Sequence, residues 1–397
     1  MLPRRRAWGI AVVAMLTMTV SYADRQTLAA LAPSVTKALH IDEAMYGWLT
    51  SAFSIAYLFA TPLAGWWIDR VGARRGLVAS ILGWSLIAAL HAIVPSFGVL
   101  FALRLALGIA EGPSFPGSAQ TMQRVLAPGD RARGYGLVFS GSMIGAMIAP
   151  PLASWLSDEA GWRVAFLTGA AIGLVWLPAW ILLTWRGDAR AQLDVPPPDA
   201  TPAPRPPFLD LVRHPMMIRA LCAIFAVAPG MNLVMSWGAK ILVQQYGLAQ
   251  GDIGHYLWLP PLALDAGALA FGDLLARTRR ARTLLGAGAL LVAAVALIPW
   301  QATPWQMAEI GSVVLIGGGG VYTVVTADAL GRLPSQAVSS AGGIIACAQS
   351  LAIIITSPIV GRLVDHYGDY QVTSIGLAAW VVPGALAWLV WPPRELA

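Results

Sequence analysis

The chain has 397 residues, of which 57% are hydrophobic and only 12% charged, with a formal net charge of +6. A typical soluble domain is about 45–50% apolar with glycine included and about 25% charged. This chain therefore has too little polar surface to cover a water-exposed globule, and its 17 tryptophans suit membrane–water interfaces. Cys222 and Cys347 both stand in apolar runs, with neither a disulfide framework nor a metal-ligand spacing.

A membrane span needs about 20 mostly apolar residues. On that measure twelve spans are predicted, at 8–32, 44–68, 76–95, 98–122, 133–156, 162–185, 216–245, 252–276, 283–300, 304–330, 337–363 and 370–391. Arg4, Arg5 and Arg6 before the first run resemble the n-region of a signal peptide. That run continues past Asp24, however, and eleven similar runs follow, so it is read as a span.

With the N-terminus on the cytoplasmic side, 20 of the 26 lysines and arginines fall in cytoplasmic segments. This is the positive-inside pattern, and it predicts two cytoplasmic termini. Basic charge spread over short loops on one side also argues against a nucleic-acid partner.

Seven prolines lie between Pro196 and Pro207. Proline lacks an amide hydrogen and cannot continue a helix, so the stretch is read as an extended linker. The expected organisation is an N-terminal six-helix bundle over 1–185, a cytoplasmic linker over 186–215 and a C-terminal six-helix bundle over 216–397. Weak echoes between the halves, such as PPLASWLSDEAGW (150–162) and SPIVGRLVDHYGDY (357–370), suit a repeat of two bundles.

The clearest local motif is GWWIDRVGARR, from Gly65 to Arg75. Gly65 is expected to let two helices approach closely, Asp69 to accept from a helix N-terminus or an arginine, and Gly72 to make a tight turn. Arg70 and Arg74 are expected to anchor the loop on the cytoplasmic side, forming a gate there. This motif, the twelve spans, the linker and GWRVAF (161–166) resemble the major facilitator superfamily. SYADRQTLA (21–29), YGWLTSAFSIAY (46–57), RLALGIAEGPSFPG (104–117) and GSMIGAMIAPPL (141–152) resemble its anion:cation symporter branch. LPPLALDAGALAFGD (259–273) looks most like the hexuronate members, a branch that also holds galactonate transporters. Ser21 departs from the pattern, where asparagine is frequent before Tyr22. The resemblance implies an all-α fold of two six-helix bundles and a proton-coupled organic-anion symporter.

Asp24, Arg25, Arg104, Glu111 and Asp265 all sit well inside spans. A bare charge at the bilayer centre costs at least about 2.5–3.5 kcal/mol, so such residues face a cavity or a partner. Arginine offers a planar fork to a carboxylate, which makes Arg25 the candidate for a substrate anion. A carboxylic acid in a low-dielectric cavity can hold a proton, which suits Asp24 and Glu111, with Arg104 moderating them. Adjacent helical residues project about 100° apart. Asp24 is therefore expected to face Arg104 and Glu111 while Arg25 faces substrate. Asp265 is a weaker member of the proton group. The resemblance implies the same roles, and adds Tyr22 and Tyr57 as hydroxyl partners of the substrate.

In the second half Asn232, Trp237 and Gln349 are the substrate-binding candidates. Tyr322, Thr323, Thr326 and Ser350 are weaker, since a polar residue in a span more often bonds a neighbouring backbone. His91 reads as a packed histidine. GGGG at 317–320 lies in an apolar span without the following Lys-Ser/Thr of a phosphate loop, so it reads as close packing or flexibility. No nucleophile–base pair, metal cluster or cofactor loop suggests an enzyme. The expected protein is a monomeric transporter that needs no cofactor beyond the proton. Its cargo is a small organic anion, best a hexuronate such as glucuronate or galacturonate. A proton-driven drug or metabolite exporter is the alternative that the glycine–proline run at 141–152 suggests; a symporter of a non-sugar carboxylate is another.

Overall fold

The computed structural model describes residues 2–185, 187–194, 208–332 and 338–391. Among them every regular element is helical. Twelve helices are long and apolar enough to cross a membrane, each within a few residues of its predicted position. The proline run at 196–207 lies outside the described residues. The neighbouring residues Gly187–Asp194 (α8) and Phe208–Arg213 (α9) form short helices, as does Gly254–Leu257 (α12) further along the chain.

Contacts divide the chain into two units, and the division does not follow the sequence strictly. Unit 1 holds Met1–Ile41, Ala52–Asp199 and Ala249–Trp258; unit 2 holds Asp42–Ser51, Ala200–Leu248 and Leu259–Ala397.

Unit 1 is built around α1 (Arg4–Ala38), which packs chiefly on α6 (Arg131–Ala160) and α7 (Trp162–Thr184). The α1–α6 approach depends on glycine. A Cβ on Gly145 would lie 2.9 Å from the Thr19 carbonyl carbon, and one on Gly141 2.6 Å from the Met15 oxygen. The glycine–proline run thus has a packing role. The rest of the unit comprises α2 (Glu43–Val71) from Ala52 onward, α3 (Ala73–His91), α4 (Phe97–Glu111), α5 (Ser114–Val125) and α8 (Gly187–Asp194). Its aromatic core stacks Trp176 on Trp180 at 5.0 Å. Both indoles donate to backbone, to Val13 O at 2.7 Å and Arg74 O at 3.1 Å, so the rings bury apolar area without losing their polar edge.

The fourth span is not one helix. It breaks between α4 and α5 because Pro113 has no amide hydrogen to give to Ile109 O; Gly112 N donates there instead at 3.2 Å. Glu111 is therefore the last residue of α4, at a break in mid-span.

In unit 2, α10 (Pro215–Asn232) continues through a π turn, Leu233–Trp237, into α11 (Gly238–Tyr246). It packs on α15 (Pro304–Leu330), α16 (Val338–Tyr367) and α17 (Gln371–Val390). The helices α13 (Leu259–Thr278) and α14 (Ala281–Ala293) pack on α15. The four glycines 317–320 meet three different helices: Gly317 approaches Leu291 of α14, Gly318 Met231 of α10, and Gly320 Phe271 of α13. Close packing, one of their two expected roles, is what the geometry gives.

Candidate functional site

The intramembrane charges of unit 1 gather where α1, α2, α4 and α7 meet. The Arg25 Nε lies 2.6 Å from Glu111 Oε2. Ser21 completes the arrangement, donating to the same oxygen at 2.7 Å and accepting from Arg25 Nη2 at 3.3 Å. Ser21 and Arg25 are one helical turn apart on α1, so they share a face. The guanidinium also sits over three rings, with its Cζ 4.7 Å from Tyr22, 4.7 Å from Phe53 and 4.5 Å from Tyr57. Phe53 and Tyr57, one turn apart on α2, stack at 5.5 Å. The aromatic faces supply a cation with partners that need no water.

Asp24 points the other way. Its Oδ1 lies against Gly169 of α7, where a Cβ would be only 2.6 Å away. It is 6% exposed and its Oδ2 has no hydrogen-bond partner among the described residues. The charges of Glu111 and Arg104 both act on it. Arg104 is buried on α4, its Cζ 5.1 Å from Phe53, so one ring touches both arginines. The structure thus differs from the expected division of Asp24, Arg104 and Glu111 on one side and Arg25 on the other. Glu111 bonds Arg25 and also acts on Asp24. The 100° step turns Asp24 toward α7 and Arg25 toward α2 and α4, with Arg104 and Glu111 about two turns apart on α4. Phe53, Ser21 and Gly169 were not singled out from sequence as site residues. The only signal was the one-turn spacing of Phe53 to Tyr57 and of Ser21 to Arg25.

The second-half candidates lie in unit 2 and are not gathered in the same way. Asn232 donates to Ser357 Oγ at 3.0 Å and accepts from Ser236 Oγ at 2.8 Å, so its amide is already engaged. Trp237 is fully buried, edge-on to Tyr46 at 4.9 Å. Gln349 on α16 and Asp265 on α13 are half-buried. His91 packs as expected, stacked on Phe166 with Nδ1 2.8 Å from Ile87 O.

The loop motif forms a separate cleft of about 250 Å³, lined by residues including Asp69, Arg70, Gly72, Arg75, Arg124 and Asp194. Gly72 adopts φ +82°, a left-handed conformation that L side chains resist. Asp69 accepts from Gln120 at 3.1 Å, and the same amide accepts from Ala73 N at 2.8 Å. Arg70 stacks on Trp66 at 3.8 Å. Arg74 is 1% exposed and grips Asp194 with two bonds of 2.9 and 2.6 Å, stacked on Trp185 at 4.2 Å. The hydrogen-bonded Arg74 guanidinium, helped by Arg75 and Arg190, holds the Asp194 carboxyl below its ordinary range against the opposing effect of burial. Arg124 donates to Leu193 O, tying down the same helix α8. One expectation fails here. Gly65 makes no close approach, since a Cβ on it would meet nothing within 4 Å; it lies on a stretch of α2 with open space beside it.

Twelve apolar spans around buried, mutually compensated charges are the architecture of a membrane transporter rather than an enzyme. The Major Facilitator Superfamily profile matches residues 14–357, and the chain belongs to that superfamily. It is 24% identical to the probable galactarate/D-glucarate transporter GudP of Bacillus subtilis (strain 168), over 96% of this chain and 91% of that one. It is 25% identical to the D-galactonate transporter of Escherichia coli O6:H1, over 98% and 96%, and 24% identical to the hexuronate transporter of Escherichia coli (strain K12), over 97% and 93%. Among solved structures, a bacterial homologue of the human lysosomal transporter Spinster superposes with a TM-score of 0.80 at 18% identity, covering 98% of this chain and 97% of that one. The nucleoside transporter NupG gives 0.74 at 15% identity, covering 97% and 98%. These two share the fold.

Proposed function

We propose that the protein is a proton-coupled symporter that imports a hexuronate or a related sugar acid by alternating access. It would reside in a bacterial plasma membrane with both termini cytoplasmic, as the basic loops suggest. Its halves, 1–185 and 216–397, would be the moving bundles joined by the 186–215 linker. The sugar-acid names of the relatives support the substrate class. The observation that carries the coupling is the 2.6 Å Arg25–Glu111 pair. A substrate carboxylate that takes the Arg25 fork competes with Glu111 for it. Protonating Glu111 removes its charge and releases the guanidinium, while the three rings keep the cation in place. Proton and anion thus favour each other's binding.

In this reading Tyr22 and Tyr57 offer hydroxyls beside the bound anion. Asp24 is the second proton carrier, and Arg104 limits how long it keeps its proton. Asn232, Trp237 and Gln349 are the unit 2 substrate candidates and Asp265 an auxiliary carboxylate there. Asp69, Arg70, Gly72 and Arg74 act as a cytoplasmic gate. The protein acts as a monomer with the proton as its only coupling agent.

Uptake of labelled D-glucuronate, D-galactonate and D-glucarate into proteoliposomes under an inward proton gradient tests the reading. Accumulation that collapses with a protonophore is expected. Uptake driven only by an outward-directed proton exchange, or no accumulation of any sugar acid, contradicts it.

A further inference from the structure

Unit 2 contains a buried lysine that the Arg25 centre does not use. Lys240 is one of two lysines in the chain. It is 6% exposed on α11, directly after the π turn, and π turns recur at functional positions. Its Nζ lies 3.0 Å from Glu43 Oε1 and 5.2 Å from the Tyr46 ring centre. Glu43 opens α2, and Asp365 fixes that helix start by accepting from Glu43 N at 3.0 Å and Ala44 N at 2.7 Å. Tyr46 meets Trp237 edge-on, and Trp237 in turn lies 6.3 Å from Tyr370.

Three buried polar atoms of this cluster have no hydrogen-bond partner among the described residues: Trp237 Nε1, Tyr370 Oη and Glu43 Oε2. A polar atom buried without a partner loses its hydration and gains nothing in return. An ion pair that only pins helices is commonly no better than apolar packing. A cluster that retains a buried cation, two unused donors and two aromatic faces is instead equipped to receive an oxygen-rich anion. The Tyr370 phenol carries an O–H that can donate.

We propose that Lys240, Trp237 and Tyr370 form a second carboxylate-accepting subsite, and that the Glu43 carboxylate occupies it as a tethered stand-in for the ligand. Glu43 lies on Asp42–Ser51, grouped with unit 2, while α2 from Ala52 onward belongs to unit 1. The competitor is therefore carried on an element that continues into unit 1, whereas Lys240 is not. When α2 withdraws Glu43, the cation accepts the incoming carboxylate, and the indole and phenol bond its oxygens or neighbouring hydroxyls. The assignment of a sugar acid as the ligand rests on the function proposed above.

The two lysines allow a direct test, because the exposed Lys37 is an internal control. Full-length protein is treated with a small amine-acetylating reagent, and modification of each lysine is followed by mass spectrometry. Glu43→Gln is expected to raise Lys240 labelling about tenfold without changing Lys37, since a masked site reacts in proportion to its open fraction. D-glucuronate, D-galactonate or D-glucarate then restores protection in this variant, and neutral D-glucose does not. By thermal shift, Glu43→Gln binds the same acids about three- to tenfold more tightly than the wild type, and adding Lys240→Met removes the gain. Should Glu43→Gln unfold, Glu43→Asp, which shortens the arm of the competitor, is read in the same way. Fast labelling of Lys240 that no carboxylate suppresses overturns the proposal, as does unchanged affinity in Glu43→Gln. Protection by succinate or benzoate but by no sugar acid upholds the subsite and refutes the substrate class.

Discussion

Replacing Glu111 by glutamine fixes the neutral form of the residue that holds Arg25. With about 4 Å between charge centres and an effective dielectric of about 20, the pair is worth roughly 4 kcal/mol. Part of that is not lost on neutralisation. Ser21 and a glutamine oxygen can still hydrogen-bond the guanidinium, and each aromatic face contributes about 0.5–2 kcal/mol. A net release of about 2 kcal/mol remains, equivalent to about a 30-fold gain in anion affinity wherever Glu111 is normally ionised. Binding of D-glucuronate or D-galactonate to Glu111→Gln, measured by calorimetry from pH 5 to 8, should be nearly independent of pH. Its value should lie near the tightest that the wild type reaches in acid. In proteoliposomes the variant should exchange labelled for unlabelled substrate yet fail to accumulate it from a proton gradient. Weaker binding at every pH, or accumulation at the wild-type level, would refute the competition between Glu111 and substrate for Arg25.

Arg25→Ala should lose about 2–5 kcal/mol of substrate binding in the same calorimetric assay, and Arg25→Lys should recover only part of it because lysine lacks the fork. Asp194→Asn should lower the thermal stability of the detergent-solubilised protein by about 2 kcal/mol, reduced from the buried-pair value because the carboxylate is partly exposed. The pH dependence has a definite sign. The Asp194 carboxyl is held below its ordinary range when folded. Its contribution is therefore complete above about pH 4 and disappears as the pH falls through the lower folded value. Melting curves of Asp194→Asn and wild type should converge only in that acidic window. Gly145→Val should cost about 1–3 kcal/mol or more, by overpacking α1 against α6. Gly65→Ala, with open space for its Cβ, should instead raise stability by about 0.5–1 kcal/mol through helix propensity; a comparison of the two melting temperatures checks both.

The spans were legible because a hydrocarbon layer admits only long apolar helices, and composition alone marks those. The buried charges were legible for the opposite reason, since each interrupts an apolar run at a high cost. Even Gly72 could be assigned its turn, because only glycine takes φ +82° readily. Local features that depend on a neighbour were less accessible. Pro113 sits visibly in the fourth span, yet the break of the helix beside Glu111 is a feature of the folded chain. Gly65 and Gly145 look alike in sequence, but one faces open space and the other the Thr19 backbone.

The sequence by itself therefore determined the number of spans, the residues carrying charge into the membrane and the excess of basic loops on one side. Each of these depends on a single segment and its solvent. Tertiary structure decided which charges meet. It joined Glu111 to Arg25, turned Asp24 toward Gly169, placed Phe53 between two arginines and brought Asp194 to Arg74 across 120 residues. Such pairings are set by the rotation of each helix against its neighbours, and the packing of many distant residues fixes that rotation.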